Sequence, residues 1–263
     1  MLELPRRILT LAFSLILAAP APLHAQHKQL QVACAADLEP VMPTLAAEYQ
    51  RATGVHLVTA FGSSATLAQQ LANGAPQDVF LSADTAHPQQ LISAGLALGA
   101  DPQHPQTPTA YARGVVVLWA RKDSPAQPLS LDSLKNPRVT HIAIANATHA
   151  PYGLAAQQAL QHLGLYNQLQ PKFAVAENIA QTAEFAESGN AQLGLISLTI
   201  ASSPHFRRLG TFVRLPDVYP PVRQAAVILK SSHQQQLGRQ FLDWLTSPAV
   251  QSQLPRFGLD PAK

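Results

Sequence analysis

Residues 61–84 read FGSSATLAQQLANGAPQDVFLSAD and contain one complete helix between two strand-like runs. Two leucines lie on one face of the helix predicted over 66–73, and Gly74 follows in the position that commonly ends a helix. The apolar run 78–82 then predicts a buried strand. A strand, a helix and a second strand joined by short turns are typical of a βαβ unit, in which the two strands are parallel.

The same alternation of strands and helices continues along the chain in both directions. The predicted strands cover 30–36, 55–61, 78–82, 114–120, 139–145, 172–175, 193–198 and 221–229, and the predicted helices cover 38–49, 66–73, 89–97, 152–163, 179–187 and 237–245. The stretch 122–129, which contains Pro and Ser, separates a first group from a second. We therefore predict an α/β fold with two lobes, each a mostly parallel sheet flanked by helices. Lobe I comprises 26–122 and 217–263, lobe II comprises 123–216, and a ligand cleft lies between them.

The first 25 residues have the three parts of a secretory signal peptide. Arg6 and Arg7 form a basic start, 8–19 is apolar, and Ala25 suits the last residue before cleavage. The apolar run is shorter than the roughly 20 residues that a membrane span needs, although an uncleaved anchor remains the alternative. A lipoprotein is disfavoured because Cys34, the only cysteine, lies inside a strand-like run, where we expect it to be buried. We therefore predict a periplasmic protein.

The composition excludes several classes of protein. A hydrophobic share of 47% provides enough apolar surface for a folded core, and so excludes a disordered polymer. A single cysteine excludes a disulfide framework and a multi-cysteine metal site. The formal net charge of +3 is spread along the chain without a basic stripe, so we expect no nucleic-acid partner.

Sequence motifs of catalysis are largely absent. Residues 61–66 lack the flanking glycines of a nucleophile elbow and the Gly-Lys-Ser/Thr end of a P-loop. The 10 histidines are scattered and form no His-Glu-x-x-His motif. We therefore expect no enzyme activity, no cofactor and no metal bound directly by side chains. An exported hydrolase that uses Ser64 with a distant histidine is the alternative from another class.

Polar residues occur where the predicted helices begin. Ser63 and Ser64 precede the first of these helices, Tyr152 opens the second, and Asn178 with Ile179 opens the third. The N–H groups in the first turn of a helix lack partners and carry the positive end of the helix dipole, so they attract an anion. The alternative is that the serines and Asn178 only cap their helices and that Tyr152 packs at a lobe surface.

Five blocks of sequence carry a resemblance to a known family. They are AADL at 35–38, the stretch 61–84, APYG at 150–153, AENI at 176–179 and LGLIS at 193–197. Together they resemble the periplasmic molybdate-binding proteins, which are the type II solute-binding components of ABC importers. The block 61–84 is the most specific, and the likeness covers essentially the whole chain after the signal segment. The resemblance implies a type II fold, molybdate or tungstate as the ligand, and an inner-membrane ABC permease as partner, and we expect a monomer.

The resemblance also implies which residues bind the ligand. In that family a tetrahedral oxyanion is held by hydroxyl and backbone N–H groups from both lobes, without a bound metal or a positive side chain. By position, Ser64 supplies a hydroxyl and an N–H from the first lobe, and Ile179 supplies a backbone N–H. Tyr152 and Ser197 fall where some members of the family use a ligand-binding tyrosine.

Asp37 departs from the family pattern, because well-known members place Ser or Asn there. An ionised carboxylate repels a dianion: one pair of unit charges about 4 Å apart costs about 4 kcal/mol at an effective dielectric constant of roughly 20. Three outcomes are open. The side chain turns away and leaves only a backbone N–H donor, or it is protonated and donates, or the ligand carries a proton that Asp37 accepts, as hydrogen phosphate would. Pro40 and Pro43 have no N–H, so we expect the following helix to begin late.

Overall fold

The computed structural model describes residues 28–262, so the predicted signal segment 1–25 lies outside the described residues. The strands are β1 Gln29–Ala35, β2 His56–Gly62, β3 Val79–Ser82, β4 Ala97–Leu98, β5 Thr109–Gly114, β6 Val116–Arg121, β7 Ile142–Ala145, β8 Phe173–Ala176, β9 Leu193–Ser197, β10 Gly210–Arg214 and β11 Val222–Leu229. The helices are α1 Met42–Thr53, α2 Ser64–Ala72, α3 Ala86–Ser93, α4 Pro151–His162, α5 Tyr166–Leu169, α6 Ile179–Glu187, α7 Leu198–Ser202, α8 Pro204–Leu209, α9 Gln235–Leu245 and α10 Pro248–Gln251. Short 3-10 turns lie at Ala36–Leu38, Leu131–Lys135, Gln170–Lys172 and Leu254–Phe257. None of the helices between residues 28 and 262 combines the length and apolar character that a membrane span requires.

The strands form two sheets, one in each lobe. The first has the order β2-β1-β3-β11-β4 with β5 paired to β11, and the second has the order β10-β6-β9-β7-β8. β1 is parallel to β2 and β3, and β7 is parallel to β8 and β9. β11 runs antiparallel to its neighbours, as does β6 in the second sheet. The predicted two-lobed α/β fold is confirmed, but its sheets are mixed, because the strands beside the crossings between lobes reverse direction.

The chain crosses between the lobes earlier than the sequence predicts. The sequence indicates one strand over 114–120, whereas in the structure β5 ends at Gly114 in the first sheet and β6 begins at Val116 in the second. This placement corrects the predicted lobe boundary at 122, because the whole of β6 belongs to the second sheet. The run is apolar throughout, so its periodicity contains no sign of the break. The chain returns between β10 and β11, where Val222 pairs with Gly114, so the two crossings lie side by side.

Two prolines shape the segment that follows β1. The 3-10 turn Ala36–Leu38 comes first, and α1 begins only at Met42 with Pro43 in its first turn. This late start is the one that the missing N–H groups of Pro40 and Pro43 predict. Asp37 is therefore held in a tight turn directly at the carboxyl end of β1, where it is fully buried.

Each lobe has its own apolar core, and the two cores meet at the cleft. In the first lobe Tyr49 packs edge-to-face on Phe241 with ring centroids 5.2 Å apart. Cys34 is buried in the same core, as expected, and burial raises the pKa of its thiol far above the ordinary value. The core of the second lobe extends across the cleft to three small residues of the first lobe, Ala35, Ala36 and Ala83. Their short side chains allow the lobes to approach closely.

Candidate functional site

A small cavity lies between the lobes, where the N-termini of three helices meet. Its wall is formed by residues 35–37 and 62–64 from the first lobe and by 150–152 and 178–179 from the second, together with Ala83. Its free volume is about 10 Å³, close to the space that one water molecule needs. The helices α2, α4 and α6 all begin in this wall. The structure therefore brings Ser64, Tyr152 and Ile179 together at one cavity.

Two of the predicted site residues use their side chains to cap helices. The side chain of Ser63 accepts a hydrogen bond from the backbone N–H of Thr66 at 3.2 Å, and that of Asn178 accepts one from Gln181 N–H at 3.0 Å. Both residues still line the cavity. Capping in this way leaves the N–H groups of the first helical residues, Ser64 and Ile179, without intrahelical partners at the positive ends of their helices.

The hydroxyl of Ser64 is placed to donate into the cavity. The residue is buried, and its Oγ accepts a hydrogen bond from the backbone N–H of Ala83 at 3.1 Å. A serine hydroxyl has one hydrogen and two lone pairs, so this contact fixes the oxygen and leaves the hydrogen available. Ser64 can therefore offer both an O–H and an N–H to one ligand.

Three buried polar side chains form a triad across the cleft. The Tyr152 hydroxyl of the second lobe donates to Asp37 Oδ2 of the first lobe at 2.9 Å. The amide Nε2 of Gln224 on β11 donates to the same oxygen at 2.7 Å and to the Tyr152 hydroxyl at 3.0 Å. Tyr152 thus binds Asp37 with its phenol, which holds the two lobes together. Gln224 is not among the site residues predicted above, although a lone amide in the apolar run 221–229 signals a buried polar group that needs a partner.

Two glycines make room for this arrangement. A Cβ at Gly114 would lie 2.1 Å from the Tyr152 hydroxyl oxygen and 3.1 Å from Gln224 Nε2, so any side chain there would collide with the triad. A Cβ at Gly153 would lie 2.3 Å from the carbonyl oxygen of Ala145, which shows how closely α4 packs on the end of β7. The position of Tyr152 therefore depends on small residues on both sides of the cleft.

The electrostatics of the cavity are dominated by Asp37. Burial raises the pKa of this carboxyl to about 7, while hydrogen bonds from Gln224 and Tyr152 lower it and the charge of Glu39 raises it further. Burial, together with the nearby Asp37, also raises the pKa of the Tyr152 phenol well above its ordinary value. The wall, all of which lies within residues 28–262, contains no Lys, Arg or His. The cavity thus combines helix N-termini with a single acidic group whose ionisation changes near neutral pH.

Ser197 is not brought to the cavity. Its Oγ lies 2.7 Å from Thr199 Oγ1 and caps α7 by accepting from the N–H of Ile200 at 3.4 Å. The residue is fully buried at the end of β9. The expectation that Ser197 contacts a ligand in this cavity is therefore corrected: its hydroxyl serves the local helix start.

The rim of the cavity carries a second set of contacts between the lobes. Thr66 Oγ1 on α2 donates to Glu177 Oε1 of the second lobe at 3.1 Å, and Ser63 Oγ donates to Thr66 Oγ1 at 2.7 Å. The backbone N–H of Ala65 donates to the carbonyl oxygen of His149 at 3.2 Å, and His149 Nδ1 lies 3.0 Å from Glu177 Oε2. These contacts join the two lobes on the solvent side of the cavity.

Comparison with known proteins identifies the family. Residues 30–260 match the sequence model described as "Bacterial extracellular solute-binding protein". The chain belongs to this family. This solute-binding protein is 32% identical to the molybdate-binding protein ModA of Rhodobacter capsulatus, and the similarity covers 98% of both chains. It is also 32% identical to ModA of Azotobacter vinelandii over 97% of both chains.

Solved structures agree with this assignment. The periplasmic molybdate-binding protein of Azotobacter vinelandii superposes with a TM-score of 0.78 at 33% identity, covering 88% of this chain and 98% of that one. The sulfate-binding protein SubI of Mycobacterium tuberculosis superposes with a TM-score of 0.73 at 16% identity, covering 90% and 88%, which shows a shared fold. Solute-binding proteins of this family capture ligands and are not enzymes, which confirms the expectation of a binding protein and sets aside the hydrolase alternative.

Proposed function

We propose that this protein captures molybdate, and also tungstate, in the cavity between its lobes and delivers the anion to an inner-membrane ABC permease from the periplasm. The observation that carries the proposal is the meeting of three helix N-termini around a cavity that also contains the Ser64 hydroxyl. The ModA relatives, which are named as molybdate-binding proteins, support the choice of anion.

The charge of the cavity favours an anion over a cation. Each helix N-terminus carries the equivalent of about half a positive charge, and the unpaired N–H groups of its first turn point at a ligand placed there. Three such helix N-termini lie in the wall of the cavity. No cluster of His, Cys, Asp or Glu among residues 28–262 could hold a metal ion. Neutral donors stabilise the anion without a fixed counter-charge, which keeps its release to a permease feasible.

The size of the cavity favours a small inorganic ligand. Its free volume of about 10 Å³ lies far below the roughly 300–1,000 Å³ that is usual for pockets of larger organic molecules. Ser64 and Ile179 approach this space from different lobes, so one compact anion can contact both. A tetrahedral oxyanion, with acceptor oxygens on every side, matches donors that converge from two directions.

A second oxyanion remains a candidate because of one residue. The carboxyl of Asp37 lies in the wall of the cavity, where a ligand that carries its own proton could donate to it. Hydrogen phosphate has that property. This alternative shares the fold and the hydrogen-bond donors of the main proposal. It differs in the anion, which is hydrogen phosphate, and in the proton, which lies on the ligand.

Isothermal titration of the purified protein with molybdate, tungstate, sulfate and phosphate tests the proposal. We expect tight binding of molybdate and tungstate and much weaker binding of the other two. Tight phosphate binding with no heat from molybdate would contradict the main proposal and support the alternative. Elemental analysis of protein purified from a molybdate-supplemented culture provides an independent check, since co-purified molybdenum is expected.

A further inference from the structure

One oxygen of the Asp37 carboxyl has no partner among residues 28–262. Both donors of the triad, the Tyr152 hydroxyl and Gln224 Nε2, bind the other oxygen, Oδ2. Oδ1 is buried and makes no hydrogen bond with the described residues, and Asp37 itself is fully buried in the wall of the cavity. Buried polar atoms without a partner are rare, so this atom indicates a contact that a bound ligand completes.

The hydrogen bonds of the carboxyl determine where a proton can lie. Oδ2 already accepts two hydrogen bonds, so a proton added to Asp37 goes to Oδ1. An ionised Oδ1 could only accept, and the oxygens of a fully ionised oxyanion also only accept. A hydrogen bond between them therefore requires one proton, and Oδ1 is the oxygen of Asp37 that can carry it.

No cationic side chain in the wall of the cavity compensates for a second negative charge beside Asp37. Four titratable side chains interact with its charge: Cys34 on β1, Tyr111 on β5, Tyr152 on α4 and Glu39 just after the 3-10 turn. Glu39 is in turn influenced by Glu184 on α6. The strand β11 contributes only the neutral amide of Gln224. None of these groups is a cation, so a bound dianion can only favour protonation of Asp37.

We propose that Asp37 is a ligand-binding residue that holds the oxyanion in its protonated form, donating a hydrogen bond from Oδ1, so that a dianion captured in alkaline solution takes up one proton. This inference rests on the proposed capture of an oxyanion. Protonation of Asp37 removes the repulsion between its carboxylate and the dianion. Binding is then coupled to pH.

The direction of the coupling follows from the empty site. There the pKa of Asp37 is about 7, and a bound dianion raises it further. Below pH 7 the carboxyl is already protonated, so the affinity is independent of pH. Above pH 7 the empty site must gain a proton on binding, so the affinity falls by about tenfold for each pH unit until the pKa of the complex is reached.

Calorimetric titration with molybdate in buffers of different ionisation enthalpy measures this proton uptake directly. For the wild-type protein we expect close to one proton per anion at pH 8 and about 0.1 at pH 6. The Asp37→Asn variant keeps a donor of similar shape that does not titrate. It is expected to bind molybdate without proton uptake at either pH, and circular dichroism checks that it is folded.

The outcomes separate this inference from the proposed function. Molybdate binding by the wild-type protein without proton uptake at pH 8 would overturn the role of Asp37 and leave molybdate as the ligand. Binding of phosphate or sulfate with proton uptake, and no binding of molybdate, would overturn the choice of ligand and support the role of Asp37. Tight phosphate binding without proton uptake at pH 8 would place the proton on the ligand and overturn the inference.

Discussion

Gly114→Ala is expected to weaken ligand binding because it fills the space that Tyr152 occupies when the lobes are closed. The added Cβ would lie 2.1 Å from the Tyr152 hydroxyl oxygen and 2.6 Å from its Cζ, distances that real contacts do not reach. Gly114 belongs to β5 in the first lobe and Tyr152 to α4 in the second. The collision therefore acts on closure of the cleft, and each lobe can fold without it.

The magnitude follows from the cost of overpacking. Forcing an extra carbon into a well-packed site costs about 1–3 kcal/mol. At 1.4 kcal/mol for each tenfold change in affinity, molybdate binding is expected to weaken by roughly 5- to 150-fold. The backbone at Gly114 does not have a positive φ, so the alanine is not strained by its own conformation.

Titration calorimetry measures the affinity, and urea unfolding measures the stability of each variant. Gly238→Ala is a matched control, because Gly238 is a buried glycine on α9 whose added Cβ would lie 3.2 Å from Val79 Cγ2 within the first lobe. We expect it to leave the affinity within about twofold of the wild-type value. In a Tyr152→Ala background the ring is gone, so Gly114→Ala should cost less than about 0.5 kcal/mol more.

A Gly114→Ala variant that binds molybdate as tightly as the wild-type protein would refute this reasoning. So would an equal loss of affinity in the presence and absence of the Tyr152 ring, since the effect would then not depend on the contact. The first result would mean that Tyr152 leaves the neighbourhood of Gly114 when a ligand is bound, and the second that the loss arises from another contact of the alanine.

Three further predictions concern other contacts. Ser64→Ala should weaken molybdate binding by about 1–3 kcal/mol in titration calorimetry, whereas Ser197→Ala, which removes a buried serine outside the cavity, should not; equal losses would exclude a direct contact from Ser64. Thr66→Val removes the hydrogen bond to Glu177 at the rim and should speed molybdate release in stopped-flow measurements, at a cost below about 1 kcal/mol; an unchanged release rate would show that the rim does not hold the lobes closed. The pKa of Asp37 is raised to about 7 in the folded protein, so the protonated carboxyl contributes stability that is lost as the pH rises from about 4 to 7. The free energy of unfolding of Asp37→Asn should therefore rise relative to that of the wild-type protein over this range, by an amount of the order of 4 kcal/mol. Parallel pH profiles of the two proteins in urea would contradict it.

The parts of the site that depend on local sequence could be predicted. Ser64 and Ile179 open helices that follow strands, and the hydrophobic spacing of those helices fixes where their first N–H groups lie. Ser63 and Asn178 could be placed at the helix starts for the same reason, although the sequence left open whether they cap or bind. Local capping rules are enough for these residues.

The contacts between distant residues could not be predicted. Tyr152 and Gln224 lie 115 and 187 positions after Asp37. The resemblance places Asp37 and Tyr152 at one ligand site, but no pattern in the chain indicates that they bind each other or that Gln224 joins them. Ser197 looks like the other serines at strand ends, and only its contacts with Thr199 and with the N–H of Ile200 show that it serves a helix start outside the cavity. The break between β5 and β6 is hidden for a similar reason, because a single residue separates two strands that pair with different partners.

The two crossings between the lobes have a consequence for how the molecule opens. A single residue, Val115, separates strands of different sheets, and the returning chain is paired with Gly114 beside it at Val222. Any rotation of one lobe against the other has to be absorbed at this point, so it acts as the pivot. Tyr152 touches Gly114 next to the pivot, whereas the bridge between Thr66 and Glu177 lies at the mouth. We therefore expect a small turn at the pivot to separate the mouth widely, while the Tyr152 hydroxyl moves away from Gly114 by a shorter distance.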